Sequence, residues 1–410
     1  MFNLTTDHKI TPESRLSLKK SLDFIKSTKS DSGFYAIPTH DKHFTESETL
    51  AHQLKEKYQK YIVVGVGGSS MGGRALVEIA KSEHITFLDN VDLSEISDII
   101  KKHLNFIHET AFIIISKSGS TIEILLNYST LHEQFKLLAN FDIIKNSFFI
   151  SEKNNNPIAN FASEHKRPLL EIPVNIGGRF SVLTPVGLLI AAISNYNIKD
   201  IRLGAEMALD DEEKIIQFAD LFLESFKRKE NISLFWFYNS YYRWFGGWIQ
   251  QLWAESLGKK ETIENKPAPS FSTPMIAIGS TDQHSILQQV AHGPKDKFVI
   301  IFDFESTKST STVLKNTLFK EISFFKDRQY SDLISSQSLA TYKALKLNQV
   351  STLFINCQDT QKEKFTGYLF MFFQLLVATI GHHEKINPFD QPGVTLGKEL
   401  SLELLMQIKK

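Results

Sequence analysis

What most restricts the fold of this chain is a pattern that occurs twice: short runs of β-branched and aromatic residues, each followed by a longer stretch of helical period. The first series places strands over residues 61–66, 85–88, 111–116, 147–150 and 169–172, with helices such as 70–80 and 121–138 between them. The second places strands over 233–238, 274–278, 298–302 and 351–355, again with helices between. Strands that alternate with helices pair in parallel, because each crossover helix must return the chain to the same end of the sheet. The expected class is therefore α/β: two doubly wound, mainly parallel sheets, each sandwiched between helix layers, with a C-terminal helix. No repeat of sequence accompanies the repeat of pattern.

A chain of 410 residues also exceeds one ordinary core. Residues 1–44 are expected to form an N-terminal helical arm, with its helix over roughly 12–29, followed by a first α/β unit over 45–200. A second unit over 201–385 would open with one long charged helix, 201–229. Residues 386–410 would close the chain as a turn-rich loop and an amphipathic helix from about Val394. The apolar stretch 367–381 falls short of the ~20 residues a membrane span needs and reads as a buried helix. With 46 Lys+Arg against 46 Asp+Glu, no excess charge draws the protein to nucleic acid or to an anionic membrane, so neither partner is expected and any anion site must be local. The single cysteine, Cys357, excludes an intramolecular disulfide and a cysteine-based zinc site. The polar first ten residues lack the apolar core of a signal peptide, and the expected location is cytoplasmic.

Two loops follow strands of the first series. Val64-Gly65-Val66-Gly67-Gly68-Ser69-Ser70 opens a helix, where glycines allow close backbone approach and free amides face negative charge. Tight packing alone explains such a turn equally well. A dinucleotide loop is a third reading, but Asp89 is its only candidate ribose acceptor and the serines stand in place of a later glycine. The second loop, Ser116-Lys117-Ser118-Gly119-Ser120-Thr121, crowds hydroxyls at a helix start, which suits a phosphate monoester. A helix cap by Ser120 with Glu123 would account for two of these residues only. Both loops leave the carboxyl ends of strands in one sheet, where open α/β sheets bind ligands, so together they read as a phosphosugar site of the kind found in the sugar isomerase (SIS) domain.

Four further segments carry chemical groups. Arg179 lies in Gly177-Gly178-Arg179-Phe180-Ser181 at the entry to an apolar helix, where a guanidinium can stabilise a developing enediolate, although a lone arginine is ordinarily a surface residue. Gln251 and Glu255 share one helix face, and Trp253 nearby would favour a proton-transfer role for a glutamate that is otherwise simply solvated. His284 follows a strand end in Thr281-Asp282-Gln283-His284, a place from which an imidazole can open a sugar ring. Gln391 and Lys398 stand seven residues apart across a helix start. No metal is expected: His382, His383 and Glu384 are adjacent on a helix and point apart.

These segments resemble the glucose-6-phosphate isomerase (phosphoglucose isomerase) family in its shorter bacterial form. The GxGGS loop at 65–69, SKSGST at 116–121, GGRFSVLTPVG at 177–187, QLWAES at 251–256, TDQHS at 281–285 and FDQPGVTLGK at 389–398 occur in the family's order across most of the chain. The resemblance implies interconversion of glucose 6-phosphate and fructose 6-phosphate through a cis-enediol, in glycolysis and gluconeogenesis, without a cofactor. It implies Glu255 as the base, Arg179 as the enediolate stabiliser, and His284 with Lys398 as the ring-opening pair. Gly68, Ser69, Ser116, Lys117, Ser118 and Thr121 would hold the phosphate, and Gln251 and Gln391 would bond substrate oxygens. It further implies a homodimer in which His284 is donated across the interface. Rival expectations are a dual phosphoglucose/phosphomannose isomerase, a non-catalytic phosphosugar-binding regulator and a nicotinamide-dependent oxidoreductase.

Overall fold

A computed structural model describes residues 2–6, 8–27, 33–304, 312–358 and 361–408. Strand β1 (Phe2–Thr5) and helices α1 (Pro12–Ser27) and α2 (Lys42–Lys57) precede the first series. That series runs β2 (Lys60–Val64), α3 (Met71–Ala80), β3 (Ile85–Leu88), α4 (Leu93–His103), β4 (Thr110–Ile115), α5 (Ile122–Ala139), β5 (Ser147–Ser151), α6 (Pro157–Glu164) and β6 (Leu169–Glu171). Helices α7 (Pro185–Ile193), α8 (Ile198–Asp210) and α9 (Glu212–Lys227) lead to the second. It runs β7 (Ile232–Phe237), α10 (Arg243–Leu257), β8 (Thr273–Ile278), α11 (Leu287–His292), β9 (Lys297–Phe304), α12 (Tyr330–Leu347) and β10 (Ser351–Cys357). Helices α13 (Lys362–His383) and α14 (Thr395–Gln407) close the described chain.

The first sheet has the order β3-β2-β4-β5-β6 and is parallel throughout. Its strand order reverses between β2 and β4, and the crevice at such a reversal is where open sheets take ligands. The glycine loop leaves β2 and the hydroxyl loop leaves β4, so both motifs flank that crevice. The second sheet has the order β1-β10-β9-β7-β8, with only β1 antiparallel. Strands covered on both faces need side chains that tolerate burial at every position, and β4 and β9 are buried along their whole length.

Helix α13 is the apolar centre. It is buried from Phe365 to Gly381, and its approach to α8 is so close that a Cβ on Gly367 would lie 1.9 Å from the Ile201 carbonyl oxygen. By length and composition α13 could cross a membrane, but 94% of its most apolar window is covered by the fold. Thr184 caps α7 and Asn156 caps α6, each with proline as the first helical residue, where its missing N–H costs nothing.

Three features differ from expectation. The single helix over 201–229 is two, broken at Asp211, whose carboxylate accepts from Tyr368 and from Lys214, both at 2.5 Å, and so ties the break to α13. Strand β1 stands outside both series, because four residues carry no readable period; Phe2 anchors it against Phe218, Tyr368 and Phe372. Helix α14 buries none of its residues, and Leu396, Leu400, Leu404, Leu405 and Met406 all face outward.

Candidate active site

The glycine loop is shaped by contact with the segment that carries Arg179. A Cβ on Gly68 would lie 2.3 Å from the Gly178 carbonyl carbon, so only glycine lets the two backbones meet. Gly67, at φ +57°, turns the loop beside the Gln251 amide. Ser69 follows, partly exposed, while Ser70 is buried and donates to the Gly67 carbonyl. Asp89, the acidic residue a dinucleotide reading required, is held bidentately by Arg74 at 2.6 and 2.7 Å. That pairing leaves no carboxylate poised for a ribose.

In the hydroxyl loop, Ser116 is buried and its Oγ lies 3.1 Å from Thr121 Oγ1, with Ser118 Oγ at 3.5 Å from the same atom. The residue at the N-cap of α5 is Thr121, not Ser120, and its side chain makes no capping hydrogen bond. The first amides of α5 are thus left for an external acceptor, as an anion site requires. Lys117 is turned to the Val174 carbonyl at 2.9 Å and to Glu152 at 3.4 Å. Gly119 has φ +66°, and Asn156 fills the space where its side chain would be. No local pattern signals that buttress, which depends on a residue 37 positions further on.

Arg179 is 2% exposed, far from an ordinary surface arginine. Its Nε donates to Ser256 Oγ at 2.7 Å, and its Nη1 to Gln391 Oε1 at 2.8 Å and Glu255 Oε2 at 3.2 Å. Its Nη2 donates to the carbonyls of Pro388 at 2.6 Å and Asp390 at 2.9 Å. All five guanidinium protons are therefore engaged. Burial lowers its pKa, opposed by Glu255 and Asp390, and the group remains a cation. Glu255 projects from α10 one turn beyond Gln251, which donates to Glu255 Oε1 at 2.9 Å. The carboxylate is thereby fixed on both oxygens yet about a third exposed, reachable by a ligand. Gln251 Oε1 is buried without a hydrogen-bond partner among the described residues, so an acceptor stands unused at this point.

Lys398 lines a cavity of about 770 Å³ between α14 and the hydroxyl loop, across from Ser118, Ser120 and Thr121, and a second of about 530 Å³ with Asp390 and Gln391 at the border of this cluster. His284 is not brought to the cluster at all: it is exposed on the turn Thr281–His284 that follows the edge strand β8. Among the described residues, no group of three or more His, Cys, Asp or Glu is arranged to hold a metal ion. Sequence reasoning passed over Lys259, which follows Glu255 by one helical turn and whose side chain is 6% exposed. Its spacing from Glu255 was the available signal.

A family model described as Phosphoglucose isomerase matches residues 44–410. The chain is 30% identical over 395 residues to the glucose-6-phosphate isomerase of Campylobacter jejuni, covering 93% of this chain and 94% of that protein. It is 32% identical over 370 residues to that of Methanocaldococcus jannaschii, covering 85% of each. Among solved structures, a hypothetical protein from Thermus thermophilus superposes with a TM-score of 0.88 at 25% identity, over 99% of this chain and all of that one. A glucose-6-phosphate isomerase from Chlamydia trachomatis shares the fold, with a TM-score of 0.81 at 18% identity over 96% of this chain and 84% of that one.

Proposed function

The chain belongs to the phosphoglucose isomerase family, and on that premise we propose that it interconverts glucose 6-phosphate and fructose 6-phosphate by ring opening and proton transfer. The observation that carries this reading is the Glu255 carboxylate, oriented by Gln251 and Arg179 and left partly open beside two anion-type loops. Ser116, Ser118, Thr121, Lys117, Gly68 and Ser69 hold the phosphate, using hydroxyls and the uncapped amides of α5. Glu255 removes the proton at C2 of the open-chain aldose; the C–H electron pair becomes the C1=C2 bond, and the carbonyl oxygen takes up charge and a proton. Returning the proton to C1, as the C2 hydroxyl gives up its own proton and its O–H electron pair becomes the C2=O bond, gives the ketose. Arg179 Nη1 faces the same space and steadies the enediolate charge, while Gln251 and Gln391 bond substrate oxygens.

Ring opening requires an acid and a base at the ring oxygen and the C1 hydroxyl, the roles of His284 and Lys398. The exposure of His284, away from its own chain's Glu255, supports a homodimer in which each copy lends this imidazole to the other. A cytoplasmic location fits the single reduced thiol, Cys357. The test is Glu255→Gln, which keeps shape and polarity but removes the base. Turnover of fructose 6-phosphate falls by about 10²- to 10⁴-fold while calorimetric binding of the sugar phosphate persists. Near-normal turnover would sink the assignment.

A further inference from the structure

Lys259 sits just past the last turn of α10 with its ammonium buried and its three protons all placed. One goes to the Glu255 carbonyl at 2.9 Å, one to the Asp390 carboxylate at 2.8 Å and one to the Asp390 carbonyl. The first contact satisfies a carbonyl that the end of α10 leaves without an internal partner. The other two hold residues 387–391, a strap whose internal bonds run from Asn387 to Asp390 and from Phe389 to Asn387. Arg179 grips the same strap from the other side, at the Pro388 and Asp390 carbonyls, and takes Gln391 on its Nη1. Two cations and two carboxylates, Arg179, Lys259, Glu255 and Asp390, thus make one closed cluster around the strap.

We infer that Lys259 is a positioning residue for the isomerisation proposed above: it locks the strap that presents Gln391 and that Arg179 grips, and it ties that strap to the end of the helix carrying Glu255. Having no proton to spare, Lys259 does not itself touch substrate. Its electrostatic reach to Glu255, Arg179 and Asp390 is direct, and burial holds its own pKa below the ordinary lysine value against the opposing pull of Asp390. The groups facing Glu255 are Arg179 from the turn Gly178–Leu183, Lys259 beyond the end of its own helix and Asp390 on the strap.

The experiment measures kcat and KM separately for fructose 6-phosphate in the full chain and in Lys259→Met, Lys259→Arg and Asp390→Asn. Lys259→Met lowers kcat about tenfold and leaves KM close to that of the wild type. Lys259→Arg, which returns a cation to the same partners, restores most of kcat, and Asp390→Asn, which removes the strap's half of the ion pair, lowers kcat in the same way. A loss confined to kcat and rescued by the cationic variant cannot come from loosened packing alone. Should Lys259→Met not fold, the kcat and KM of Asp390→Asn decide by themselves. A wild-type chain without isomerase activity would sink the functional reading on which this inference rests. An active wild type whose variants keep its kcat overturns the Lys259 assignment alone.

Discussion

At the scale of single residues, the site is governed by how many donors and acceptors are already committed. Arg179 has every donor engaged, so a substrate oxygen must displace one of its partners, and its Nη1 bonds to Gln391 and Glu255 are those facing the open side. The hydroxyl loop differs: Ser116 and Thr121 bond mainly to each other and can redirect their hydroxyls at little cost. Ser116→Ala and Thr121→Val each remove a donor to an anion, about 1.5 kcal/mol, so each weakens competition by inorganic phosphate roughly tenfold. Inhibition assays check this, and unchanged competition would move the phosphate elsewhere. Lys117, engaged by Val174 and Glu152, contributes only after leaving them, so Lys117→Met has a smaller effect on the same assay than Ser116→Ala.

At the scale of elements, the loops are held by neighbours distant in sequence. Gly119→Ala forces a left-handed backbone onto alanine and drives a methyl into Asn156, costing about 1–3 kcal/mol; thermal denaturation reads the loss, and an unchanged midpoint would show the loop free to rearrange. The same distance explains what the sequence disclosed. The parallel strands of both sheets are legible because buried strands are continuous apolar runs, and their bounds fall close to those the pattern predicts. The glycine and hydroxyl loops are legible as strand-to-helix turns at the carboxyl ends of β2 and β4, because their clusters fall directly after buried apolar runs. The break at Asp211 is not, since it depends on Tyr368 of α13, and neither is the cap-free start of α5, since Ser120 and Glu123 satisfy the capping pattern on paper. Lys259 escapes notice for a related reason: its partner on the strap, Asp390, lies 131 residues away. Chemistry that rests on side-chain type is visible in sequence; support that rests on long-range contact is not.

At the scale of the whole molecule, one chain gathers Glu255, Arg179 and the glycine loop but leaves His284 exposed and α14 without a buried residue. The homodimer proposed above, with its shared site, would account for the first of these. Glu255→Gln and His284→Ala subunits, each inactive alone, therefore regain about a quarter of wild-type activity when mixed under conditions of subunit exchange, since half the dimers then hold one intact site. No recovery above the separate preparations would place His284 in its own chain's site or outside the reaction. The central claim, proton transfer between C1 and C2 of a sugar phosphate, is tested most directly by proton NMR of the purified chain with fructose 6-phosphate in deuterated water, without added metal or nicotinamide. Glucose 6-phosphate carrying deuterium at C2 is the predicted product; fructose 6-phosphate that remains unconverted would contradict the account.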